Sequence, residues 1–103
     1  MIKVNLKAHN NIIKEITIMG HAKFDVKGKD IVCASVSAIA ITSINAILTL
    51  DEEAIYYEEK SNKLIIKTNN DNQTTQKLLN NMISLLKEIS IDYPQNIRIR
   101  NEE

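Results

Sequence analysis

No charged side chain occurs between Ile31 and Leu50, in the run IVCASVSAIAITSINAILTL. A segment this long and apolar could cross a bilayer or form the centre of a packed domain. Here Ser35, Ser37, Thr42, Ser43, Asn45 and Thr49 interrupt it. Asp30 and Asp51 flank it, where a membrane span would carry aromatic or basic anchors. The run therefore reads as the buried helix of a globular domain. Its apolar residues lie around much of the circumference, as expected of a helix covered on more than one side, by the sheet and by a second helix or a partner subunit.

The whole 103-residue chain is the size of one domain. In MIKVNLKAHN, the residues Ile2, Val4, Leu6 and Ala8 alternate with Lys3, Asn5, Lys7 and His9, the period of a half-buried strand. HNN at 9–11 suits a tight turn because Asn tolerates left-handed backbone angles, and IIKEITIM returns as a second strand ending at Gly20. AIYYEEK and KLIIKTN flank Ser61 and Asn62 as a second hairpin. After a cap at Asn70 or Asp71, Leu78, Leu79, Met82, Ile83, Leu85, Leu86 and Ile89 recur at helical spacing. Pro94 ends that helix, and NIRIR forms a short final strand with Ile97 and Ile99 turned inward. The expected fold is α+β, in the order ββαββαβ, a small mixed or antiparallel sheet with two helices in one domain spanning residues 1–103.

Thirteen basic residues balance thirteen acidic ones, so no global field draws in nucleic acid or anionic lipid, and neither direct nucleic-acid binding nor a membrane role is expected. One cysteine cannot close an intramolecular disulfide, and the N-terminal stretch lacks a signal-peptide core. The expected location is cytoplasmic.

The one cysteine, Cys33, follows Asp30, a good N-cap residue. That puts the thiol on the first helical turn, where unpaired backbone N–H groups and the helix dipole favour a thiolate. His21 ends the preceding strand and can approach the same helix start once the intervening segment folds back. Ser37 lies one turn after Cys33, either beside the thiolate or as a small residue permitting close packing. The residues alone leave two readings open: a nucleophile with its base, or a packed thiol with an unrelated imidazole. His9 reads as solvated surface at a hairpin tip. Structural zinc normally takes four ligands, and one Cys with two His fall short, so no metal is expected. Tyr56 and Tyr57 are adjacent on a strand, so one is expected in the core and the other in solvent.

GHA at 20–22, followed by a short loop with a late Gly and then DIVCASVSA at 30–38, resembles the motif of the ribosomal-processing cysteine protease family, often called Prp. The similarity extends to the opening hairpin, SINAI at 43–47, the pattern beginning at Gln76, and YPQNIRI near the end. What the resemblance implies is a cysteine-protease-like domain with Cys33 as nucleophile and His21 as base. Gly20, Asp30 and Ser37 would then support the site, and no cofactor is implied. The segment Ala22, Lys23, Phe24, Asp25, Val26, Lys27, Gly28, Lys29 would be a gating loop that orders on substrate. The implied substrate is the N-terminal extension of a large-subunit ribosomal protein, cut after a bulky aromatic residue and before a small one, and the implied assembly is a homodimer. Lys23 and Ser35 stand where the family more often has small residues, and neither replaces a catalytic group. The rival reading is a non-catalytic ribosome-associated binding module in which Cys33 is structural.

Overall fold

A computed structural model describes residues 1–20 and 31–102. Strand β1 (Ile2–His9) and strand β2 (Ile12–Met19) form the first hairpin. His9 pairs with Ile12, leaving Asn10 and Asn11 as a two-residue turn with φ of 52° and 65°. Two consecutive positive φ values define the tight turn whose twist matches its strands, and Asn supplies them at low cost. The register shifts between Lys7 and Ala8, whose partners are Glu15 and Ile13, so Lys14 is the extra residue of a β-bulge.

Helix α1 (Ile31–Leu50) is followed by the hairpin of β3 (Ile55–Lys60) and β4 (Lys63–Thr68), then α2 (Gln73–Asp92) and β5 (Ile97–Glu102). The five strands form one mixed sheet in the order β3-β4-β2-β1-β5, in which only the β1–β5 pair is parallel. That pairing follows from the crossover through α2, which carries the chain over the sheet from β4 to its far edge. The expected α+β order is present, as a two-layer fold.

Period-two burial sets the layers apart. Ile2, Val4 and Leu6 of β1, Ile16 and Ile18 of β2, Leu64 and Ile66 of β4 and Ile97 of β5 are buried under the helices. From α1 the core receives Val32, Val36, Ala40, Ile44 and Ile47, and from α2 Leu79, Met82, Ile83 and Leu86. The last turn of α1 and the first turn of α2 line one recess, so the helices run antiparallel. The opposite face of the sheet is open and mostly polar, as an antiparallel sheet permits.

Three expectations need correction. Tyr56 and Tyr57 are both exposed, because β3 is an edge strand. Tyr56 is on the open face, and Tyr57, opposite buried Ile66, lies on the helical side where the covering layer stops short. The N-cap of α2 is Asn72, neither Asn70 nor Asp71: its side chain accepts from the N–H groups of Thr74 and Thr75 at 2.8 and 3.2 Å. Asn70 instead holds the cap itself, accepting from the Asn72 N–H at 2.9 Å. α1 packs on the sheet and on α2, as expected of a helix covered on more than one side, while Ile31, Ile41 and Leu50 on its outer side are exposed. Leu85, at the margin of the apolar face of α2, is also exposed.

Gln76 has a structural task that its helical spacing does not announce. It is buried at the start of α2, where its side-chain oxygen accepts from the Ile13 N–H at 2.8 Å and its Nε2 donates to the Ile13 carbonyl at 3.0 Å. One amide thus supplies both bonds that a neighbouring strand would give. It does so next to the bulge, two residues beyond the last β2–β4 pair, Glu15 with Lys67.

Candidate active site

The chain leaves β2 at Gly20, which has φ of +89° and donates its N–H to the Asn62 carbonyl at 2.9 Å. A Cβ built there would lie 2.8 Å from the Met1 carbonyl oxygen. That oxygen cannot easily retreat, because the next N–H, that of Ile2, donates to the Asn96 carbonyl at 2.8 Å and fixes the peptide plane. Glycine is required for two reasons at once, the left-handed backbone and the close approach. The strand end that leads into residue 21 is therefore fixed between β1 and the β3–β4 hairpin.

Cys33 lies on the first turn of α1, half-buried and packed against the hydrophobic core. Its place is an intermediate one, with a side chain anchored from below and partly open to solvent. Ser37, a turn further on, is also half-buried. It lines an apolar cleft with Ile18, Val36, Ala40, Ile41, Glu59 and Leu64. Ile18 is two residues before Gly20, so the first turns of α1 and the end of β2 lie at one end of the molecule. This is the end from which β1 and β5 start.

His21, Asp30 and the expected gating loop 22–29 lie outside the described residues. Of the residues singled out in the sequence, Gly20, Cys33 and Ser37 are described, and they share one end of the fold. The cleft residues carried little sequence signal as a group. Val36 and Ala40 follow from helical spacing after Cys33 and Ile18 from strand alternation, but nothing in the sequence brings Glu59 from the edge strand to them.

The family model described as cysteine protease Prp matches residues 1–98. The chain belongs to the cysteine protease Prp family. It is accordingly an enzyme, a hydrolase of the cysteine-protease class. The ribosomal processing cysteine protease Prp of Staphylococcus aureus (strain Mu50 / ATCC 700699) is 34% identical over 105 residues, covering 96% of this chain and 97% of that one. The ribosomal processing cysteine protease Prp of Bacillus subtilis (strain 168) is 29% identical over 110 residues, covering 96% of each. Among solved structures, the S. aureus Prp in complex with a substrate peptide superposes with a TM-score of 0.90 at 28% identity, covering 99% of this chain and 100% of that one. The same protease with a covalently linked product peptide gives 0.89 at 29% identity, with the same coverage. Membership in the Prp family favours the enzyme over the binding-module reading.

Proposed function

We propose that this protein removes the N-terminal extension of a large-subunit ribosomal protein, with Cys33 as nucleophile and His21 as general base and acid. One observation carries the assignment of the nucleophile: the chain belongs to a family of cysteine proteases and contains a single cysteine. Its position on the first turn of a long helix supports that role, because the first backbone N–H groups have no intrahelical acceptor and stabilise negative charge. The nearby strand end at Gly20 supports His21 as the partner, since residue 21 must start from a fixed point at the same end of the molecule. The substrate reading rests on relatives described as ribosomal processing proteases.

The reaction runs by acyl transfer. The Cys33 thiolate attacks the scissile carbonyl carbon, and the developing oxyanion is held by backbone N–H groups at the helix start. The His21 imidazolium gives its proton to the departing amine as the C–N bond breaks, leaving a thioester. Water then attacks the thioester, His21 takes its proton, and the carboxylate product leaves with the thiolate restored. The cut is read as falling after a bulky aromatic residue and before a small one, as the resemblance of the motif implies.

The enzyme works as a cytoplasmic homodimer in this reading. Ile31, Ala34, Ala38 and Ile41 lie exposed along the uncharged outer side of α1, a surface suited to a second copy. Alkylation of Cys33 near neutral pH tests the dyad. The reading expects the wild-type thiol to react much faster than an unactivated cysteine and His21→Ala to remove most of that advantage. Equal rates in the two folded proteins would exclude His21 as the activating base.

A further inference from the structure

The balanced charge of the whole chain conceals a segregation on the open face of the sheet. Register places Arg98 beside Lys3, Lys3 beside Met19, Met19 beside Lys63 and Lys63 beside Lys60. One row across all five strands thus holds four cations, one methionine and no acid. At about 4.8 Å between strands the row is about 19 Å long. Arg100 follows in the next row, in register with Asn5. At the other end of the same face the signs alternate instead, as Glu102, Lys7, Glu15 and Lys67.

Lys60 is paired with Glu58 at 3.1 Å, the one ion pair among the described residues. Lys3, Arg98 and Arg100 are exposed and Lys63 is half-buried, and none of the four has a described carboxylate within ion-pair distance. Like charges side by side on neighbouring strands oppose folding, so the row is not explained by stability. Lys3, Asn5, Met19, Arg98 and Arg100 line a shallow groove, which turns the β1–β5 part of the row into a concave surface.

We propose that this row binds the phosphodiester backbone of single-stranded nucleic acid. The guanidinium of Arg98 and the ammonium groups of Lys3 and Lys63 in the row, with Arg100 beside it, match successive phosphates, and Asn5 adds a neutral hydrogen-bonding group in the adjacent row. An acidic peptide fits less well, because peptide recognition relies on apolar pockets for anchoring side chains and beside the row this face offers only Met19 and Ile65, with exposed Tyr56 set apart in the charge-balanced row. The row also runs across the strands, whereas a bound peptide usually extends a sheet along its edge. With no aromatic in the row, binding is read from charge and is tolerant of sequence. The surface lies on the opposite side of the sheet from the helix carrying Cys33, so it is independent of the proteolytic reading.

The test is fluorescence anisotropy of a labelled, unstructured oligouridylate titrated with the full chain, with polyglutamate as competitor. Neutralising three or four phosphates predicts a log–log salt slope of about −2 to −3. The combined Lys3→Ser, Lys63→Ser, Arg98→Ser and Arg100→Ser variant should bind at least about tenfold more weakly. Lys7→Ser with Lys67→Ser, at the charge-balanced end, should change binding little. Unchanged thermal transitions and peptide cleavage in both variants would show that the loss belongs to the surface. The proposal is overturned by absence of binding at low salt, by equal loss in the two variants, or by displacement with polyglutamate at an equal concentration of charge.

Discussion

Replacing Gly20 by alanine should destabilise the fold and impair the enzyme together, and the size of the effect can be worked from two independent costs. Holding an L-residue at φ of +89° costs about 1–2 kcal/mol relative to glycine. The added Cβ meets the Met1 carbonyl oxygen at 2.8 Å, and relief requires moving a peptide plane held by the Ile2-to-Asn96 hydrogen bond or a strand end held by the Gly20-to-Asn62 bond. Accommodating one extra carbon against a fixed neighbour costs about another 1–2 kcal/mol. The total is about 2–4 kcal/mol, which for a chain of this size lowers Tm by about 10–20 °C. Thermal unfolding measures the first effect. Peptide cleavage well below the lowered Tm measures the second, which should fall because residue 21 starts from a displaced strand end. A Gly20→Ala protein within about 0.5 kcal/mol of wild type would refute both the strain and the close contact.

Other substitutions test separate parts of the structure. Gln76→Ala leaves the Ile13 N–H buried without its partner, while the Ile13 carbonyl keeps the Thr68 hydroxyl at 3.0 Å; chemical denaturation should show a loss of about 1–3 kcal/mol. Asn72→Ala should cost about 1 kcal/mol by removing the α2 cap, and Asn72→Asp should recover most of it. Ile41→Glu puts a charge on the exposed side of α1; if that side joins two copies, sedimentation should show a shift from dimer to monomer with the far-ultraviolet spectrum unchanged.

Most of the fold was legible because its elements have clear periods and clean breaks. Alternation from Ile2 to Ala8, the two asparagines of the first turn and Pro94 after α2 each have a local physical meaning that the structure repeats. What could not be read depends on neighbours distant in sequence. Local geometry sends the two adjacent tyrosines of β3 to opposite faces, but their exposure is decided by the strand's place at the sheet edge. The choice of Asn72 over Asn70 rests on a local network in which one asparagine supports the other, and all three positions carry capping side chains. Gln76 reads as an ordinary helical polar residue until the bulge in β2 creates a need for its amide. At the site, Gly20 was visible as a motif glycine, while the reason for it lies in Met1, Asn62 and Asn96. The basic row was hidden because its members come from four strands and are cancelled in the net charge.

The central claim is tested most directly by incubating the purified protein with a large-subunit ribosomal protein carrying its N-terminal extension, beside a Cys33→Ala control, and reading the new N-terminus by mass spectrometry. The account predicts a single cut after an aromatic residue, made by the wild type and absent with Cys33→Ala. An intact substrate in the presence of folded, reduced wild-type protein would contradict the proposed substrate. Cleavage that persists with Cys33→Ala would contradict the proposed nucleophile.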